Sequence, residues 1–240
     1  VSGFSSNRGH GIVDTNISAG FPGGLDEGGL GFISGVAKEG TGILESEITA
    51  AGGGITGVIG RSEGVGGGDG IAASRVFTSG LIGGINGISL TGHGITNTLF
   101  SADGSIGEKG TAVLAITSST DASKSAIDHS IFRAGGDISD IVAQTFVANA
   151  MAIRGTVEVT GDTVFLSDNC PDVSVVALAD AGATIFSARG SIGDVSVARG
   201  DIDGAFFMAG YDIGGDMSFD GLADGDDFAG LDESVSIGDI

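Results

Sequence analysis

Six aspartates, Asp212, Asp216, Asp220, Asp224, Asp226 and Asp227, crowd between glycines in the stretch 212–232. A hard cation such as Ca2+ takes six to eight oxygens from carboxylates, carbonyls and water, and glycine lets backbone carbonyls converge, so these residues are candidate calcium ligands. Their spacing is not that of an EF-hand: DGLADGDDFAGLDE lacks an Asp-x-Asp-x-Asp-Gly start with its closing glutamate in register. Nor is it the tandem nonapeptide of calcium-loaded β-rolls, which EGVGGGDG at 63–70 approaches once. The alternative reading of the same residues is a set of solvated turn aspartates.

Other constellations carry less. His10, His93 and His129 stand alone, without an HExxH pattern or a cysteine at ligand spacing, so they are expected as loop or surface histidines and zinc is not. GGGITG at 52–57 matches GxGxxG, but no helical pattern follows it and a chain with 47 glycines in 240 residues produces that string by chance. There is no GxSxG elbow. Paired carboxylates for sugar hydrolysis, for example Asp194 with Asp216, would have to come from neighbouring repeat units, where aspartate is expected anyway as a turn residue. Asn16-Ile17-Ser18 is a single sequon. No residue is nominated as catalytic.

The elements behind these residues follow from composition. Apolar residues make up 41% of the chain, which excludes a disordered polar polymer, and two prolines without a Gly-X-Y period exclude collagen. What remains is short apolar strands alternating with Gly, Asp, Ser and Asn turns. A net charge of −21 with ten scattered basic residues argues against nucleic acid as a partner. The lone Cys170 makes no internal disulfide. No run of about 18 apolar residues is present to span a membrane as a helix, and the opening residues show no signal peptide.

Between 184 and 214 one pattern is stated twice: Ile185-Phe186, Ala188, Ile192-Gly193, and then Phe206-Phe207, Ala209, Ile213-Gly214. The copies lie 21 residues apart (207 minus 186), and the same frame places Phe165 before them and Phe228 after them. TLFSADGSIG at 98–107 matches TIFSARGSIG at 184–193 at all but two positions. A unit this short cannot bury its own apolar face, so the repeat predicts an all-β fold, a parallel β-helix or β-solenoid with ~21-residue coils and an interior phenylalanine column. A β-sandwich is the alternative. Residues 1–70 are read as an irregular glycine-rich β segment and 71–240 as the repeat solenoid, continuous with it. Phe100 and Phe132 are 32 apart, as a loop inserted at the polar stretch 118–128 would produce. In the run from Ile82 to Leu90 the isoleucines are expected to point inward.

The run SIGDVSVARGDIDGAFFMAGYDIGGDMSFDGLADGDD at 191–227 resembles repeats of very large bacterial secreted and cell-surface proteins, of the β-solenoid adhesin, haemagglutinin-like or surface-layer type. The resemblance covers residue 98 onward. It implies export to the cell surface or medium, an elongated non-catalytic body, and often calcium or self-assembly. The expected function is therefore a structural, non-enzymatic extracellular protein that builds a surface layer, fibre or adhesin stalk. A polysaccharide-acting β-helix enzyme or carbohydrate-binding module is the alternative, with cell-surface polysaccharide as partner; the absence of Trp and the single Tyr favour the scaffold. SIGDI at 236–240 repeats the start of SIGDV at 191–195. The repeat is thus expected to continue, with Val235, Ile237 and Ile240 as the surface on which further coils or copies of the chain stack end to end.

Overall fold

Isoleucine occupies one position in every coil. Ile12, Ile43, Ile71, Ile95, Ile127, Ile153 and Ile202 lie side by side in parallel register. A β-branched side chain suits a pleated surface, and repeating it at one position gives each layer the same neighbour above and below. The structure, a computed structural model, describes residues 1–20, 28–147, 150–155, 163–164, 173–174, 184–213, 228–229 and 236–240.

Each coil contributes three strands. In chain order they are β1 (Ser2–Arg8), β2 (Ile12–Val13) and β3 (Asn16–Ala19); β4 (Leu30–Glu39), β5 (Ile43–Leu44) and β6 (Glu47–Ala50); β7 (Ile55–Ser62), β8 (Ile71–Ala72) and β9 (Arg75–Thr78); and β10 (Ile85–Ser89), β11 (Ile95–Thr96) and β12 (Leu99–Ala102). They continue as β13 (Ile106–Thr117), β14 (Ile127–Asp128) and β15 (Ile131–Ala134), then β16 (Ile138–Gln144) and β17 (Met151–Arg154). An antiparallel pair, β18 (Thr163–Val164) and β19 (Val173–Ser174), comes before β20 (Thr184–Ala188). The last coil is β21 (Val195–Ala198), β22 (Asp201–Asp203) and β23 (Ala205–Ala209), followed by the antiparallel pair β24 (Tyr211–Asp212) and β25 (Phe228–Ala229).

First, second and third strands of successive coils form three sheets of seven parallel strands each, here sheets 1, 2 and 3. The chain is thus an all-β parallel β-solenoid. All three sheets contain strands from both sides of residue 70. Among the described residues no helix is long and apolar enough to cross a membrane.

Coil length differs from the expected repeat. The 21-residue spacing holds between Phe186 and Phe207 (207 minus 186). Earlier coils take 31, 28, 24 and 32 residues, and 54 separate Phe132 from Phe186. The strands of sheet 3 keep four or five residues while those of sheet 1 range from 4 to 12 and the connections vary as well, so the period wanders while the inward columns stay aligned.

Sheet 3 faces the core with Ile17, Ile48 and Val76, then Phe100, Phe132, Phe186 and Phe207. The four phenylalanine rings stack with centroids 5.2, 4.7 and 4.9 Å apart and planes within 11° of parallel. The expected column therefore exists through Phe186 and Phe207, with one correction. Phe228 pairs antiparallel with Asp212 instead of extending sheet 3, and Phe165 lies outside the described residues. In β10, Ile85 faces the core, whereas Ile88 alternates to the outer face because Gly87 takes the inward place between them. The stretch 44–51, the best local helix candidate by composition, contains β6 and is not helical.

Sheet 1 explains much of the glycine. Its inward column runs Gly3, Gly35, Gly60 and Gly87, then Ala115, Ala143 and Val197. A Cβ at Gly35, Gly60 or Gly87 would lie 2.1, 2.2 or 2.4 Å from the carbonyl oxygen of Gly42, Gly70 or Gly94 respectively. Strand and corner of one coil meet backbone to backbone here. The corresponding pairs in the next two coils are Ala115 with Ala126 and Ala143 with Ala152, all fully buried. Core residues thus grow together from Ile and Gly to Phe and Ala along the rod.

Candidate functional site

Two corners position the polar chemistry. At the corner entering sheet 2, the residue two places before each of the first four isoleucines offers a side-chain acceptor to the next coil. His10 Nδ1 accepts the Thr41 amide at 3.0 Å, Thr41 Oγ1 the Asp69 amide at 3.2 Å, Asp69 Oδ1 the His93 amide at 2.7 Å, and His93 Nδ1 the Ser125 amide at 3.1 Å. Corner amides lack a ladder partner of their own, and a buried amide left unpaired is costly. This ladder satisfies them one coil at a time.

At the corner leaving sheet 2, Asp14, Glu45, Ala73, Asn97 and His129 all adopt φ between 44° and 48°, and Gly204 takes the same place at 63°. A Ser or Thr follows in five of these coils. Thr15, Ser46, Ser74, Thr98 and Ser130 each donate a hydroxyl to the carbonyl two residues back, at 2.8–2.9 Å. Four coil-to-coil bonds run from amide to hydroxyl: Thr15 to Ser46, Ser46 to Ser74, Thr98 to Ser130 and Ser130 to Thr184. Thr184 Oγ1 donates to the Arg154 carbonyl, so the corner resumes after the 156–183 excursion. Replacing Ser130 with Ala leaves the Thr98 amide and one Asp128 carbonyl site unpaired in a buried corner. The expected loss is about 1–3 kcal/mol, measured by urea unfolding, with the exposed Ser79→Ala as the near-neutral comparison.

Between these corners, on the outer side of sheet 2, lies the densest cluster of ionisable groups among the described residues. Asp128 is buried; its Oδ1 accepts from Arg154 Nε at 2.6 Å and from His129 Nδ1 at 3.0 Å, and its Oδ2 accepts from Thr96 Oγ1 at 3.3 Å. Arg154 also donates to the Ser123 carbonyl at 3.2 Å, tying the cluster to the polar 118–126 connection. The inserted loop inferred at this point thus roofs the cluster. His93 Nδ1 stands 3.9 Å from Asp128 Oδ2, but its lone pair is already engaged by the Ser125 amide, so the ring is neutral and carries its proton on Nε2. Burial holds His93 below its ordinary value of 6.5, against the pull of Asp128 and Asp69. For Asp128, burial alone would raise the pKa; hydrogen bonds from Arg154 and His129 hold it below its ordinary 3.8.

Both shifts give the same sign. A group with a depressed pKa in the fold binds more protons when unfolded, so its contribution is complete above its unfolded pKa and fades as pH falls. His93 withdraws support as pH drops below 6.5 and Asp128 as it drops below 3.8. Urea midpoints measured from pH 8 to pH 3 are expected to fall in these two windows. Asp128→Ala strands the Arg154 guanidinium, which keeps partial contact with solvent. The expected cost is about 3 kcal/mol at neutral pH, the lower end for a broken buried pair, with the more acidic window removed.

The three histidines lie in corners between strands, as loop or surface histidines do, but they are engaged there and do not stand alone. His10 is exposed but serves as a corner acceptor, His93 is buried, and His129 is half-buried against Asp128. Their common signal was x-Gly/Ala-Ile-x-x-Ser/Thr, spelled HGIVDT, TGILES, DGIAAS, HGITNT and SAIDHS. Of the candidate calcium ligands, Asp212 lies in β24; Asp216, Asp220, Asp224, Asp226 and Asp227 lie outside the described residues. Asp194 is exposed and its Oδ1 accepts the Asp239 amide at 3.0 Å, a coil-to-coil bond of the same kind as the corner ladders. Of the candidate assembly residues, Ile237 bridges in parallel to Ile192, Ile240 is 73% exposed, and Val235 lies outside the described residues. Among the described residues no group of three or more His, Cys, Asp or Glu is placed to hold a metal ion. Compared with known proteins, the chain matches no family model, no curated protein and no solved structure.

Proposed function

We propose that the chain is a structural, non-enzymatic segment of a bacterial extracellular or cell-surface solenoid, a piece of layer, fibre or stalk that stacks end to end with copies of itself. The observation that supports this is the way one layer receives the next. Residues 236–240 lie on residues 191–195, at the entry to β21, as the start of a further layer: Ile237 bridges to Ile192, the Ser236 amide donates to Ser191 Oγ at 3.2 Å, and the Asp239 amide to Asp194 Oδ1 at 3.0 Å. The same side-chain acceptors serve within the rod, where Asp137 Oδ1 accepts the Ser191 amide and Asp140 Oδ1 the Asp194 amide. A coil face built this way accepts a further layer whether that layer comes from the same chain or another copy.

Electron microscopy and sedimentation across a concentration series test the assembly. Rods longer than the ~30 Å of seven layers at ~4.8 Å each, growing with concentration, are expected; a particle of single-chain length at every concentration overturns end-to-end stacking. Calcium is part of the proposal for Asp212, Asp216, Asp220, Asp224, Asp226 and Asp227. Added Ca2+ is expected to raise the melting temperature and a chelator to lower it, and an unchanged melting curve assigns these aspartates to turns.

A further inference from the structure

The outer face of sheet 1 has a character unlike the rest of the chain. Two outward columns pass through Asn86 and Ile88, one residue per strand. At their centre Ile59, Ile88, Leu114, Ile116 and Val142 form an apolar patch, half-buried only by one another and their neighbours. Across all seven strands the two columns hold no carboxylate and a single cation, Arg61, on a chain whose net charge is −21. Contiguous apolar surface of this kind marks an interaction site.

We propose that this face pairs laterally with the same face of a second copy. Charge selects the face: two chains at −21 repel, and contact through columns without carboxylates keeps the acidic residues farthest from one another. Periodicity selects the occupant. Side chains recur once per ~4.8 Å layer, and a second copy meets that spacing on every layer, interdigitating as paired sheets do. A globular partner matches it on one or two layers. Seven layers by five residues of ~3.3 Å give about 500 Å² per copy, or about 1,000 Å² in all, the threshold for a specific interface. One segment therefore pairs weakly, and the contact strengthens as layers are added. The pairing rests on the structural reading above but runs perpendicular to end-to-end stacking.

Small-angle scattering and sedimentation from about 1 µM to about 1 mM, at low and high salt, separate the two. Lateral pairs double the cross-section at unchanged length, whereas end-to-end stacking lengthens the rod at unchanged cross-section. Pairing is expected to strengthen with salt as repulsion is screened. Ile88→Asp with Ile116→Asp is expected to abolish the wide species while leaving the circular dichroism unchanged. Should that variant unfold, Asn86→Cys in a Cys170→Ser background tests the same contact. Asn86 lies on the fourth of seven strands, which a two-fold pairing centred on this face, the arrangement that overlaps all seven layers, brings opposite itself. Oxidation is then expected to give a covalent dimer, with Arg75→Cys on the outer side of sheet 3 as the control that does not crosslink. A constant cross-section at every concentration and salt, or crosslinking no faster at position 86 than at 75, overturns the proposal. Retention of the apolar face by an unlike protein, with no pairing of copies, overturns it in favour of a different partner.

Discussion

Phe132→Ala is expected to lower stability more than any other single truncation in the core, by about 3–5 kcal/mol. Phe132 is fully buried and its ring stacks on both sides, against Phe100 at 5.2 Å and Phe186 at 4.7 Å. Truncation removes the transfer free energy of a phenyl group, leaves a cavity that two rigid parallel sheets cannot close, and takes away two stacking contacts, each about 0.5–1.5 kcal/mol. Phe207 offers the internal comparison. Among the described residues it stacks on Phe186 alone, and it is half-buried, so Phe207→Ala should cost clearly less. In a rod whose coils contact only their neighbours, a damaged interior layer also uncouples the two ends. Hydrogen exchange in Phe132→Ala should therefore show the layers on either side opening together, ahead of β4 and β7. Equal losses for Phe132→Ala and Phe207→Ala in urea unfolding would refute the stacked column as a main source of stability.

Gly60→Ala is expected to be nearly as damaging, although it adds a single methyl. The new Cβ would lie 2.2 Å from the Gly70 carbonyl oxygen and 2.5 Å from Ile71 Cγ1. Neither can withdraw, because Gly70 is bonded into its corner by the His93 carbonyl and Ile71 pairs with Ile43 and Ile95. Strand and corner must separate, at the upper end of the roughly 1–3 kcal/mol typical of overpacking or beyond it. Two layers along the same column the sign of the demand reverses. Ala115 is fully buried where Gly60 stands two coils earlier, and Ala115→Gly opens a methyl-sized void worth about 1 kcal/mol. Thermal and urea unfolding of the pair measures both. A Gly60→Ala protein as stable as the parent would show that the close approach of strand and corner is not a constraint on the fold.

These contrasts mark what could be read from the chain alone. That it is an all-β parallel solenoid was legible, because Ile185-Phe186, Ala188 and Phe206-Phe207, Ala209 repeat in a frame no compact single unit could bury. That Phe100 belongs to the same column as Phe132 and Phe186 was legible from TLFSADGSIG and TIFSARGSIG. The coil length was not. The 21-residue spacing holds only between Phe186 and Phe207, while the connections 118–126 and 156–183 lengthen other coils without shifting the pairs of sheet 3. Loops have no register to keep, so a period measured across them drifts, whereas the step from the sheet 2 isoleucine to the sheet 3 core residue, as from Ile12 to Ile17 or Ile127 to Phe132, is unchanged in every coil but the one that holds 156–183.

The five short strings from HGIVDT onward lay in view, yet their meaning depended on stacking. A histidine, a threonine and an aspartate have little else in common as free side chains. They share the ability to accept a hydrogen bond, and only the alignment of His10, Thr41, Asp69 and His93 one above another brings each acceptor to the amide of the next coil. The same holds for Asp128 and Arg154, which are 26 residues apart in the chain and adjacent in sheet 2. Composition and repetition were sufficient to specify strands, turns and a stacked core, because those depend on side-chain size and backbone freedom, which are local. Which polar groups meet, which glycines must stay glycines and which apolar residues face outward depend on how many residues each coil spends before returning to the sheet, and that count is settled only when the layers are laid on one another.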